Sequence, residues 1–317
     1  MNQDGRATRV ALVTAREALA LDQDLPPLVA ALADSGARVS TPCWDDGDVD
    51  WGHFDLAVLR STWDYVDRIG EFLAWTDRCA LQTRLVNPPE VIRWNTDKHY
   101  LLELADRGVP VVPTTFIEPG TEAAGALDAF LEGGDASMNV GVSGPFAEFV
   151  VKPAVGAGSK DTARYRRAER ARALAHLGSL LAARRSAMLQ PYLEAVDAHG
   201  ETAVIYLGGR FSHAIRKGPL LALDAGLVEG LFAPEEITPR EPEPAEHAVA
   251  ALAYGALPFE APVYARIDLV RDARAAPRVL ELELTEPSLF FTHAPDSARR
   301  FADALLALQA TGAGTAR

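Results

Sequence analysis

Cysteine is almost absent from this 317-residue chain, which holds only Cys43 and Cys79. Two cysteines exclude a disulfide framework and a cysteine-rich zinc site, and each reads as a small buried hydrophobe. Positive charge is also short: 31 Lys and Arg stand against 44 Asp and Glu, a formal net charge of −13. That weighs against nucleic-acid binding through a general basic surface, which needs clustered Lys and Arg. No apolar run reaches the roughly 20 residues of a bilayer span. The most tempting stretch, 247–259, is bounded by Glu246 and Glu260, contains Gly255 and Pro258, and reads as a buried helix and turn. Residues 1–9 are polar and run straight into Val10-Ala11-Leu12-Val13. They lack the pattern of a signal peptide, so a cytoplasmic protein without a membrane partner is expected. Two nucleotide motifs are missing as well. Val13 is followed by Thr14-Ala15-Arg16-Glu17 instead of G-x-G-x-x-G, and no G-x-x-x-x-G-K-S/T occurs. A nicotinamide fold and a P-loop both lose their main support.

What is present is the composition of a globular protein, 48% apolar and 24% charged, at a length that suits two or three domains. Short apolar runs at 10–14, 38–41, 55–59 and 85–86 read as strands. Between them lie a helix opened by Pro26-Pro27 and closed at Gly36, and a helical pattern across 69–79. This β-α-β alternation predicts a small, mostly parallel sheet. A helix over about 97–106 ends at Gly108, and residues 118–144 read as an irregular insertion. Strands then dominate, at 146–152, 162–165 and 187–190, with a helix through 168–184. Hairpins are expected across Gly208-Gly209 and across 271–277, and a last helix at about 295–310.

The late hairpin is the most informative segment. Side chains alternate along a strand, so Arg266 and Asp268 share one face, as do Glu281 and Glu283. A symmetric turn sets Asp268 opposite Glu281 and Arg266 opposite Glu283. Like charges placed opposite each other are destabilising unless a cation lies between them, and carboxylate oxygens are the ligands Mg²⁺ prefers. An amphipathic sheet with its polar face in solvent is the plainer reading, and a one-residue slip would dismantle the cluster. A second candidate is Lys152, which ends an apolar strand beside Gly156-Ala157-Gly158-Ser159-Lys160. An ammonium group and turn N–H groups together can surround phosphate oxygens. The seven histidines form no ligand-spaced cluster.

Lys98, Lys152, the 156–160 turn, Gln190-Pro191-Tyr192-Leu193, and then Arg266, Asp268, Glu281 and Glu283 follow the order and approximate spacing of the ATP-grasp superfamily. The sequence resembles that family over roughly 87–293. The resemblance implies a mixed α/β and α+β molecule with an N-terminal βαβ, Rossmann-like domain and two α+β lobes enclosing ATP. The expected divisions are 1–95 on the substrate side, 96–193 as central lobe or lid, and 194–317 as the lobe with the metal site. It further implies that Lys98 and Lys152 contact the phosphates, that Gly156, Gly158 and Ser159 belong to a flap over them, and that Gln190, Tyr192 and Leu193 read the adenine. Glu201 would bind ribose, with Glu194 and Asp197 as rivals. Arg266 would neutralise the transferring phosphoryl group, and Asp268, Glu281 and Glu283 would hold Mg²⁺, or alternatively Mn²⁺. The final ligand is usually Asn in this family, where Glu283 stands here. The usual pair after the hinge becomes Glu201-Thr202-Ala203, which directs part of the phosphate role to Arg216 or Lys217.

Three further segments, Arg60-Ser61-Thr62-Trp63-Asp64-Tyr65, Arg93 to Lys98 and Glu281 to Ser288, resemble the glutathione-synthetase-like branch that contains the O-ureido-serine cyclo-ligase of D-cycloserine biosynthesis. Ligands in open α/β sheets bind beyond the carboxyl ends of strands, so Arg60 could clamp a substrate carboxylate beside Trp63 and Tyr65. Trp63 and Tyr65 packing a domain interface, with Asp64 capping a helix, is the competing reading. Ser61, Asp64, Glu286 and Ser288 complete the substrate-side candidates. The resemblance implies an ATP-dependent carboxylate-amine ligase that activates a small amino-acid-like carboxylate as an acyl phosphate, with cyclisation in one version. Intermolecular ligation and a non-catalytic nucleotide-binding module are the alternatives, and homo-oligomerisation stays open.

Overall fold

The structure, a computed structural model, describes residues 6–133, 146–219, 221, 223 and 236–311. Strands β1 (Arg9–Thr14), β2 (Arg38–Ser40), β3 (Leu56–Ser61) and β4 (Arg84–Val86) form a parallel sheet in the order β2-β1-β3-β4. Strands β1 and β3 are covered on both faces, which is why they read as continuous apolar runs. Alternation sends Val10, Leu12, Leu56 and Val58 towards helix Leu25–Asp34. It sends Ala11, Val13, Ala57 and Leu59 into an aromatic cluster with Phe72 and Trp75 of helix Ile69–Ala80.

A second sheet, antiparallel in the order β5-β8-β6-β7, comprises β5 (Thr115–Ile117), β6 (Glu148–Pro153), β7 (Ala163–Arg166) and β8 (Ala187–Pro191). Helices Ala123–Leu131 and Arg170–Ala182 pack on it through Leu127, Phe130, Ala173 and Leu177. The first of these lies in the expected insertion. Its start is fixed by Glu122, whose carboxylate accepts the N–H groups of Ala124 and Gly125. The rest of that insertion, 134–144, lies outside the described residues.

The third sheet runs β11-β10-β9-β12-β13, from β9 (Glu201–Leu207), β10 (Arg210–Lys217), β11 (Ile237–Arg240), β12 (Tyr264–Arg271) and β13 (Pro277–Glu283). One face shares a core with the parallel sheet and with helix Ser297–Thr311, through Ile205, Tyr264 and Phe301. The other face packs helices Pro244–Gly255 and Tyr100–Asp106. Residues 100–111, assigned with the central lobe from the sequence, therefore pack on the third sheet, and Val111 bridges to Val279 of β13. The helix begins at Tyr100, later than expected, because the chain before it turns and binds the Lys98 N–H to the Ala154 carbonyl. This turn aims Lys98 at the space between the two antiparallel sheets.

Candidate active site

Between those sheets lies a cleft enclosing about 1530 Å³ of empty space, its open mouth included. One end is an apolar slot lined by Val150, Val270 and Leu280 from strands and by Val112 and Leu193 from the chain just outside them. Gln190 and Tyr192 border this slot. Gln190 donates to Thr114 Oγ1 at 2.8 Å. The Tyr192 hydroxyl donates to Asp197 at 2.6 Å, and its ring carries the Arg164 guanidinium 3.4 Å from the centroid. Asp197, one rival for the ribose, is thus committed to Arg164 and Tyr192.

The middle of the cleft is charged. Lys98 Nζ donates to the Gly156 carbonyl at 2.7 Å and pairs with Glu281 at 3.0 Å. Lys152, 9% exposed, lines the same wall, and its ammonium group makes no hydrogen bond or ion pair with any described residue. Burial lowers its pKa, with Glu281 opposing. Lys217 bridges Glu201 and Asp268 at 2.8 Å each. Arg266 holds Asp268 through Nε at 2.9 Å, donates to the Ser288 carbonyl at 3.1 Å and pairs with Glu283. The hairpin register sets Arg266 opposite Glu283 and Asp268 opposite Glu281, as alternation predicts. A bulge then shifts Leu269 onto Val279.

Each carboxylate is paired with at least one protein cation, Arg266 serving both Asp268 and Glu283, and their titration follows. Burial would raise Asp268, but Arg266 and Lys217 outweigh it and hold the group at about 2. Burial also works against Glu281, which Lys98 and Lys152 nonetheless keep below the usual range. Glu283 is pushed up to about 8 by burial and by Glu281 and Asp268, with Arg266 compensating only in part. Among the described residues no three His, Cys, Asp or Glu side chains group as a metal site. Asp268, expected as a ligand, is 1% exposed and both its oxygens are bonded to protein cations. Glu281 and Glu283 do line the cleft. Two carboxylates supplemented by phosphate oxygens are a donor set that Mg²⁺ accepts, and an acidic pair in which one member resists ionisation fits a cation.

At the far end stand Trp63, Tyr65, Glu286, Ser288 and Phe290. Trp63 Nε1 donates to the Glu286 carbonyl at 3.3 Å. Glu286, 7% exposed, is raised to about 7, chiefly by burial, while a hydrogen bond from Tyr65 works the other way. Above lies the flap, where Gly158 and Ser159 both take φ of 60°. Val155 and Ala157 rest on the N-terminal aromatic cluster, and Lys160 pairs with Asp67 at 2.7 Å.

Several sequence-derived candidates lie elsewhere. Arg60 is fully buried, 3.5 Å from Asp24 and 3.9 Å from Asp22, and does not line the cleft. Ser61 bonds Thr14 Oγ1 at 2.7 Å, and Asp64 accepts from Trp44 Nε1 and pairs with Arg68. The reason is that β3 continues through Ser61, so the chain reaches the cleft only after turning at Thr62. Arg216 points away, its Nε donating to the His199 carbonyl at 2.9 Å, whereas Lys217, one step along β10, faces in. Register across the Gly208-Gly209 hairpin, which pairs Lys217 with Glu201, carried that signal. The apolar slot was missed, although Val150, Val270 and Leu280 lie on strands that the sequence does indicate.

A cleft between two antiparallel sheets, with lysines at its centre and a glycine turn above, defines the molecule as an ATP-grasp enzyme, an ATP-dependent ligase joining a carboxylate to an amine. Comparison narrows the class. Residues 10–87 match the family model described as the N-terminal domain of D-cycloserine synthetase DcsG. The cycloserine biosynthesis protein DcsG of Streptomyces lavendulae is 42% identical over 301 residues, 93% of this chain and 97% of that protein. A crystal structure of D-cycloserine synthetase DcsG superposes with a TM-score of 0.86, covering 95% of this chain and 99% of that one. The chain belongs to the DcsG family. The ATP-grasp ligase PsnB, solved with a minimal precursor, Mg and ADP, shares the fold at 17% identity and a TM-score of 0.61, over 95% of this chain and 98% of that one.

Proposed function

We propose that this ligase closes an amino-acid-like precursor, O-ureido-serine, on itself to give cycloserine. ATP binds with its adenine in the apolar slot beside Gln190, Tyr192 and Leu193, its ribose towards Glu201, and its phosphates among Lys98, Lys152, Lys217 and the 156–160 flap. The observation that carries the reading is Lys152, a buried ammonium facing the cleft with no hydrogen bond or ion pair to any described residue. Such a group is stabilised by an arriving polyanion. Glu281 and Glu283 would hold Mg²⁺, which when bound offsets phosphate charge. Asp268 anchors Arg266 and Lys217 and leaves coordination to the two glutamates.

The substrate occupies the end walled by Trp63 and Tyr65, near Glu286 and Ser288. One oxygen of its carboxylate attacks the γ-phosphorus, the bond to the bridging oxygen breaks, and ADP departs. Arg266 stabilises the charge on the phosphoryl oxygens during transfer. The oxygen-bound nitrogen of the same molecule then attacks the acyl carbon, phosphate leaves carrying the proton of that nitrogen, and water afterwards removes the carbamoyl group from the ring nitrogen as carbon dioxide and ammonia, leaving cycloserine. The flap excludes water, which would otherwise hydrolyse the acyl phosphate.

Release of ADP and phosphate that depends on O-ureido-serine, with hydroxylamine trapping of the acyl phosphate, tests this reading. Turnover that requires a second amine would replace cyclisation by intermolecular ligation. ATP binding without turnover over a wide amino-acid panel would reduce the chain to a nucleotide-binding module.

A further inference from the structure

Arg266 is aimed by contacts that originate in the other domain. Asp24 stands just before helix Leu25–Asp34 on the parallel sheet's side, and it is 4% exposed. Its carboxylate accepts three consecutive backbone N–H groups from the loop after β13: Leu289 at 2.5 Å, Phe290 at 3.0 Å and Phe291 at 2.8 Å. Three successive amides can converge on one anion only where the backbone curls. Here Phe290 supplies the curl, with φ of 54° and ψ of 43°. This is a backbone anion nest occupied by a carboxylate of the same chain. A left-handed conformation at a non-glycine residue is unfavourable and persists only when its surroundings over-determine it. Asp24 provides that determination.

The curl has two outputs in the cleft. The Ser288 carbonyl, just before the nest, accepts from Arg266 at 3.1 Å. The Phe290 ring lies 5.6 Å from the Arg266 guanidinium and lines the cleft. Asp24 itself does not line the cleft, so it touches neither substrate nor nucleotide.

We propose that Asp24 is a positioning residue for phosphoryl transfer: through the nest at 289–291 it sets the Ser288 carbonyl and the Phe290 ring that orient Arg266. The inference rests on the role given to Arg266 above. It also makes seating of the N-terminal domain on the C-terminal lobe a condition of catalysis, since the anion and the nest belong to different domains.

The test uses the full chain in the substrate-dependent ADP assay. Asp24→Asn keeps the size but turns one acceptor into a donor facing the nest amides. The expected result is a fall in kcat of at least about tenfold with KM for ATP within about twofold of wild type, because the nucleotide contacts are untouched. A folded variant whose kcat stays within twofold, or whose loss lies mainly in KM for ATP, overturns the proposal. Amide exchange in the unmodified enzyme provides a check that does not depend on the variant's folding. The amides of 289–291 should exchange at least about a hundredfold more slowly than free loop amides, and exchange at the free-loop rate also overturns it. Arg266→Lys is assayed in parallel. If it keeps full kcat, the role of Arg266 is wrong, whereas failure of the Asp24 variant alone leaves that role standing.

Discussion

Replacing Glu286 with Gln should make the ligand-free protein more stable as pH rises while removing a substrate-side carboxylate. Glu286 is 7% exposed and held at about 7, against 4.5 for an ordinary glutamate, mainly by burial. The folded state therefore binds this proton more tightly than the unfolded chain does. Such a group contributes most below 4.5 and loses its contribution as pH rises through 7. At about 1.36 kcal/mol per unit, ionising Glu286 costs the fold about 1 kcal/mol at pH 5 and about 3 kcal/mol at pH 8. Gln carries no such cost, and its carbonyl still accepts the hydrogen bond from Tyr65. Urea unfolding of wild type and Glu286→Gln at both pH values should show the variant gaining about 2 kcal/mol on wild type between pH 5 and pH 8. Glu283, raised to about 8, is present in both proteins and cancels in the difference. A stability difference that is the same at both pH values would refute the argument. Stability gained together with activity lost is the pattern of a residue kept for function.

Lys152→Met should lower kcat/KM for ATP by about 10²-fold or more while leaving the melting temperature equal to or above that of wild type, since burial already disfavours this charge. An unchanged kcat/KM in the ADP assay would exclude Lys152 from the phosphate site. Asp268→Asn removes one carboxylate partner from each of Arg266 and Lys217, which keep Glu283 and Glu201, and should cost about 2 kcal/mol at pH 7 in chemical unfolding; wild-type stability would show that the two cations do not depend on it. Asn87 donates to the carbonyls of Tyr264 at 3.1 Å and Leu284 at 2.8 Å and accepts the Val263 N–H at 2.9 Å, joining the parallel sheet to the third. Asn87→Ala leaves these buried groups unpaired and should cost about 2–4 kcal/mol in the same assay, and a loss below about 1 kcal/mol would count against that joint.

The most chemical part of the site was also the most readable. Arg266, Asp268, Glu281 and Glu283 lie in one hairpin, where alternation and turn symmetry fix which side chains share a face, and the pairing found is the one they dictate. The partners of those groups were less legible. Lys98 and Lys217 arrive from distant strands and turns, and no periodicity encodes which carboxylate each will meet. Asp268 shares its face with Arg266 in the sequence pattern, but nothing within the hairpin announces Lys217, its second cation, which comes from another strand. Arg60 illustrates another limit. Whether it ends a strand or enters a loop hangs on one or two residues of β3, and those residues separate a buried ion pair from a substrate clamp. The helix Ala123–Leu131 was lost among small residues, because its apolar positions are defined by the sheet beneath it.

The flap's pairing of Lys160 with Asp67 has a kinetic consequence. It joins the 156–160 turn above the cleft to the short helical turn that also carries Trp63 and Tyr65, so one exposed ion pair links the flap to one end of the cleft. Exposed pairs contribute only about 0–1 kcal/mol. On the proposed placement of ATP, a fastening so weak would leave closure to draw its persistence from the bound phosphates. ADP, lacking the terminal phosphoryl group, would then release part of that hold, so the chamber would be timed by the chemistry it encloses.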